Sequence, residues 1–159
     1  MLEIDDITKS LSRTWESVSQ GWRHLISRAE NALTRFSSED DKKDNIPVQS
    51  PRWGLMSLDM FDDADKLVIK LEVPGLETDD FDITVVDNML TVSGQKRFQR
   101  EQTKGEYRVL ECAYGQFTRC IPLSYEVDAE SAKASYDKGV LKIELQKTPN
   151  QRRRKIVIS

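Results

Sequence analysis

The chain is poor in the residue types that carry catalysis: it has one histidine, His24, and two cysteines, Cys112 and Cys120. A nucleophilic serine or cysteine needs a base within reach, and no candidate has one, since His24 sits in a helical stripe beside Trp22 and Leu25. No G-x-x-x-x-G-K-S/T phosphate loop occurs, so neither ATP use nor any other cofactor is expected. The acidic runs Asp62-Asp63-Ala64-Asp65 and Glu77-Thr78-Asp79-Asp80 lack the glycine and terminal glutamate of a calcium loop and read as solvated turns, so no metal is expected. Two cysteines are too few for a disulfide framework, and they predict free thiols in a reducing cytoplasm. No apolar run reaches the roughly 18 residues of a membrane span, which predicts no integral membrane association. The first residues also lack the basic and apolar regions of a signal peptide. A net charge of -3 argues against general affinity for nucleic acid, and the local run Arg152-Arg153-Arg154-Lys155 reads as a solvated spacer.

Three segments and a tail remain. Over residues 1–36, apolar side chains at Ile4, Ile7, Leu11, Trp15, Val18, Trp22, Leu25, Ala29, Leu33 and Phe36 recur in steps of three and four, predicting one stripe of an amphipathic helical arm. Gly21 interrupts it and permits a bend or two shorter helices. The polar face is close to neutral, whereas membrane-surface helices are usually cationic. Residues 37–52 are charged, contain prolines and have few large apolar residues, so they read as a flexible linker. From residue 53 to 147 the period falls to two, with strands expected at Leu67–Val73, Phe81–Val86, Met89–Arg97, Tyr107–Ile121, Ser131–Tyr136 and Val140–Lys147 besides the stretch around Leu55–Phe61. Seven short strands without a helical insert predict an all-β sandwich of immunoglobulin-like type.

Asp137-Lys138-Gly139, between Ala134 and Val140-Leu141, predicts a hairpin whose glycine supplies positive φ. After it, residues 147–155 read as a polar tail with nothing to pack on, yet Ile156-Val157-Ile158 follows. Two large apolar side chains on a solvated extension, residues 148–159, call for a partner groove.

The A-x-x-x-x-G-V-L hairpin and Ile-x-Ile tail together resemble the small heat-shock protein, or α-crystallin domain, family of bacterial and plant type. Val73-Pro74-Gly75-Leu76 with Phe81-Asp82-Ile83, Leu90-Thr91-Val92-Ser93-Gly94 and Gly115-Gln116-Phe117-Thr118-Arg119 are similar to family motifs and occur in the family's order over residues 53–159. The chain departs from the family at Ile121-Pro122, where Leu-Pro is usual. The resemblance implies an ATP-independent holdase that binds unfolding proteins under stress and prevents their aggregation, leaving refolding to ATP-driven chaperones. It implies a cytoplasmic homo-oligomer built from dimers, with no enzymatic activity. Ile156 and Ile158 would enter a groove between the Phe81–Val86 and Ser131–Tyr136 strands, with Ile83, Val85, Ala132 and Ala134 as candidate lining. The loop containing Phe98, Gln99, Arg100 and Glu101 would carry a short strand that swaps onto a neighbouring subunit. Trp15, Trp22, Leu25, Leu33 and Phe36 are the candidate client-binding residues. Two other readings of the same residues are a peripheral membrane protein held at the lipid surface by its N-terminal helix, and a monomeric co-chaperone sandwich. The isoleucine tail argues against the monomer.

Overall fold

The structure is a computed structural model that describes residues 32–37, 47, 50–101 and 104–150. The chain divides into two units, Met1–Leu33 and Thr34–Ser159, and the sandwich belongs to the second. Trp15, Trp22, Leu25, Ile156 and Ile158, together with most of the linker, lie outside the described residues.

Among the described residues the chain forms nine strands and one 3-10 turn, Thr78–Asp80. In chain order the strands are β1 Leu33–Ser37, β2 Trp53–Leu55, β3 Leu58–Asp62, β4 Lys66–Glu72, β5 Phe81–Val86, β6 Met89–Lys96, β7 Gly115–Pro122, β8 Val127–Asp137 and β9 Val140–Lys147. They make two sheets, ordered β2-β1-β7-β6-β5 and β3-β4-β9-β8, which is the expected sandwich.

Strict alternation builds the core. On β4, Leu67, Ile69 and Leu71 are fully buried, and the register sets them opposite Leu145, Ile143 and Leu141 of β9. Leu90 and Val92 of β6 and Phe117 and Ile121 of β7 supply the facing layer. Each such side chain contributes about 1.5–3 kcal/mol on burial, so a one-residue slip in register would turn a whole row of them to water. Asp137 pairs with Val140, and the two residues between them, Lys138 at φ 49 and Gly139 at φ 83, both take the left-handed conformation. That is the two-residue hairpin expected from Asp137-Lys138-Gly139, with the twist that suits antiparallel strands.

Four sequence expectations need correction. Residues 33–37 are β-strand rather than the end of a helix, because Phe36 pairs with Phe117 and Ser37 with Gln116 on β7. Phe36 is therefore core, packed against Phe117 with ring centroids 5.5 Å apart, and it is not an exposed client-binding residue in this fold. β7 begins at Gly115 and not at Tyr107, since Gly115 enters the strand at φ 115 and residues 104–112 remain mostly exposed. Lys147, read as the start of a tail with nothing to pack on, is buried.

Candidate interaction site

Among the described residues, both sheets end in strands with one unpaired edge. β5 closes one sheet and β8 the other, and they meet where the Phe81 and Tyr136 rings lie 5.0 Å apart. Tyr136 is fixed there by its hydroxyl, which donates to the Val73 carbonyl at 3.0 Å. Phe81 opens β5 and Tyr136 nearly ends β8. Alternation places Ile83 and Val85 on the same face of β5 as Phe81, half-buried against the core. On β8 the face of Tyr136 carries Ala134, opposite Ile143 of β9, and Ala132 lies just before the regular pairing that resumes at Lys133. Both alanines are exposed, and β8 carries extra residues between Asp128 and Lys133, where it leaves the register of β9. The four candidate lining residues thus occupy two neighbouring open edges closed at one end by an aromatic pair. An edge of this kind offers backbone hydrogen bonds and small apolar notches to an extended segment.

A third open edge among the described residues is β3, which pairs with β4 and exposes Met60 and Phe61. The loop from Arg97 to Tyr114 contains no strand among its described residues. Phe98 organises it, touching Tyr107 at 5.4 Å and Tyr114 at 5.1 Å between centroids. Glu101 donates its backbone N–H to the Tyr107 hydroxyl at 3.0 Å, while Gln99, Arg100 and Glu101 are exposed. Lys96 sits over the Tyr114 ring at 5.5 Å. Burial, reinforced by the neighbouring Cys112, pushes the Tyr114 hydroxyl above its ordinary pKa. Beside the loop opens a cleft of about 620 Å³ whose lining includes Gln99, Cys112 and Tyr114; the Arg97–Asp80 ion pair at 3.1 Å lies within it. Both cysteines are free thiols.

Sequence reasoning missed two cations. Lys147 ends β9 with its ammonium held by the Asp62 carboxylate and by the Asp63 carbonyl at 2.7 Å, under the Tyr125 ring at 4.0 Å. It locks the point from which residues 148–159 depart to the β3–β4 turn. Arg119 occupies an inward position between Phe117 and Ile121 on β7, where burial lowers its pKa and one guanidinium nitrogen has no hydrogen-bond partner. A lysine opening a run of polar residues and an arginine in a strand look like surface residues in sequence. The signal for Arg119 was its parity with the buried Phe117 and Ile121; Lys147 likewise shares parity with Ile143 and Leu145.

Known proteins share this architecture and sequence. The profile of the Hsp20/alpha crystallin family matches residues 59–159. The chain is 31% identical over 115 residues to the small heat shock protein C4 of Rickettsia felis, covering 72% of this chain and 68% of that protein. It is 37% identical over 121 residues to the 22.0 kDa heat shock protein of Arabidopsis thaliana, covering 72% of this chain and 62% of the relative. The fold is similar to that of heat shock protein 16.0 from Schizosaccharomyces pombe, with a TM-score of 0.56 at 29% identity over 65% of this chain and 97% of that one.

Proposed function

Because this chain belongs to the Hsp20/alpha crystallin family of small heat shock proteins, we propose that it is an ATP-independent holdase: a dynamic homo-oligomer that binds unfolding proteins in the cytoplasm and keeps them from aggregating. The observation that carries the reading is the pair of neighbouring edges, β5 and β8, one carrying half-buried Ile83 and Val85 and the other the exposed small residues Ala132 and Ala134. Ile156 and Ile158 of another subunit supply two same-side knobs for that surface. Docking both buries a few kcal/mol of apolar side chain, from which the ordering of the tail subtracts. Each link is consequently weak and opens on its own, while many links in one particle hold it together by avidity.

Dimers form first in this scheme. Residues around Phe98, Gln99, Arg100 and Glu101 cross to the free β3 edge of a neighbour, adding a strand beside Met60 and Phe61. That removes exposed apolar surface and an unpaired strand edge together. Opened links free the N-terminal stripe, with Trp15, Trp22 and Leu25, to cover the apolar surface of a client. Client release and refolding fall to ATP-driven chaperones, and no catalytic step is assigned to this chain. Among the described residues no helix is long and apolar enough to cross a membrane.

Sedimentation at fixed protomer concentration tests the tail link. Ile156→Ala/Ile158→Ala and the groove-filling Ala134→Leu should each shift the protein to smaller assemblies, since one removes the knobs and the other their space. Particles of wild-type size in both variants would refute tail docking on these edges.

A further inference from the structure

β1 lies between two strands. It is hydrogen-bonded into the sheet between β2 and β7, and a strand so placed would ordinarily be long. This one is five residues long, and its register with β7 includes Phe36↔Phe117 and Ser37↔Gln116. On the other side the Phe36 N–H donates to the Arg52 carbonyl at 2.7 Å, just outside the three-residue β2. The eight-residue β7, by contrast, is paired with β6 along its whole length. β7 is thus longer than the five-residue strand described beside it.

The slot is shaped for a backbone and one large side chain. Gly115 has φ 115, and a Cβ there would stand 2.6 Å from the Ser37 carbonyl oxygen, so only glycine lets the inserted strand pass so close. Across the slot a Cβ on Gly54 would lie 3.0 Å from the Phe36 ring. The ring itself is buried against Phe117. Bare backbone on each wall and an aromatic floor would receive any extended segment with a bulky apolar residue at the position of Phe36. Main-chain pairing asks little of the outward side chains, and in β1 Leu33, Arg35 and Ser37 are exposed, while Thr34 shares the buried face of Phe36 and calls for a small residue there.

We propose that β1 is a displaceable strap, and that the slot between β2 and β7 is a second client site, which takes an extended apolar segment of an unfolding polypeptide in its place. The proposal rests on the holdase reading and adds to it a site inside the sandwich, separate from the N-terminal stripe and the β5–β8 edges. The seated occupant defines the chemistry: an extended segment with an aromatic or large aliphatic residue. A resident strap keeps the slot from capturing folded or native partners, and only a chain presenting such segments in quantity displaces it.

Two full-length variants test this, both with Cys112 and Cys120 replaced by serine. Ser37→Cys/Gln116→Cys joins directly opposed residues, whose Cα separation in an antiparallel ladder suits a disulfide; oxidation locks the strap and reductant frees it. Phe36→Ala loosens the strap. The probe is a fluorescent peptide of residues 32–37, Ala-Leu-Thr-Arg-Phe-Ser, followed by anisotropy. It should bind Phe36→Ala at least tenfold more tightly than the parent, and the oxidised lock not at all. Equal binding to the locked and reduced forms of the same chain, together with no gain in Phe36→Ala, would overturn the slot even if Phe36→Ala is poorly folded. In a second readout, suppression of client aggregation should fall severalfold on oxidation and return with reductant. Full suppression by the locked form would refute the client role while leaving the holdase reading intact. Absence of suppression in both forms would sink the holdase reading and the client role with it, whereas the peptide result decides the slot independently.

Discussion

Replacing Lys147 should destabilise the sandwich far more than replacing any exposed lysine. Its ammonium holds the Asp62 carboxylate and the Asp63 carbonyl, and the Tyr125 ring lies 4.0 Å away. A hydrogen bond to a charged group contributes about 1.5–3 kcal/mol, and a largely desolvated cation over an aromatic ring about 1–2 kcal/mol. Asp62 is 47% exposed, so its carboxylate returns to water when the lysine is lost, which places the ionic part at the lower end of its range. Truncation to alanine also removes the buried stem, at roughly 0.8 kcal/mol per methylene, with residual packing relaxing into part of the space. Lys147→Met, which keeps the stem, should cost about 2–3 kcal/mol, and Lys147→Ala about 4 kcal/mol. For a sandwich of this size 1 kcal/mol moves Tm by about 4–8 °C, so the alanine variant should melt at least 10 °C lower. Denaturant titrations at matched protomer concentration separate this from any change in assembly. A cycle with Tyr125→Leu isolates the ring contact. Wild-type stability in both Lys147 variants would refute the structural account of how the tail is anchored.

Gly115→Ala should destabilise by about 1–3 kcal/mol, the cost of a non-glycine residue in strained backbone, and hydrogen exchange should show protection lost first at residues 34–37, because the new methyl strikes the Ser37 carbonyl. Tyr136→Phe deletes the hydroxyl bond to Val73 and should cost about 0.5–1.5 kcal/mol, read as a shifted denaturation midpoint with unchanged slope. Glu144 is held below the ordinary carboxylate pKa by hydrogen bonds from Lys142 and then Lys66. A depressed folded pKa stabilises above the unfolded value and loses that contribution as pH falls through the folded one, so wild type should lose stability relative to Glu144→Gln on acidification below about pH 4.5, least in high salt. Identical acid profiles would refute the assignment.

How much could be read from sequence followed from how local the determining forces are. β4, β5, β6 and β9 announce themselves because Leu67, Ile69, Leu71 and Leu141, Ile143, Leu145 alternate without interruption, and the Lys138-Gly139 turn is fixed by the chirality of its own backbone. The candidate edges followed from family resemblance, and the structure sets Ile83, Val85, Ala132 and Ala134 on two neighbouring open edges. β1 was illegible because Leu33 and Phe36 stand three apart, which continues the helical stripe, while Thr34 and Phe36 stand two apart. Five residues do not separate the periods; the glycine at 115 and the ring of Phe117, eighty residues away, do. Tyr107 to Tyr114 has strand-forming composition but packs as a loop around Phe98, a choice made by three aromatic rings rather than by propensity. Lys147 and Arg119 were missed for the same reason, since their surroundings come from segments distant in sequence.

The most direct test is light scattering from a thermally unfolding model enzyme, without nucleotide, at rising ratios of this protein and of its Ile156→Ala/Ile158→Ala variant. Passive holding predicts suppression that increases with ratio and needs no ATP, with a displaced dose response in the variant. Undiminished scattering at every ratio and temperature would contradict the holdase account.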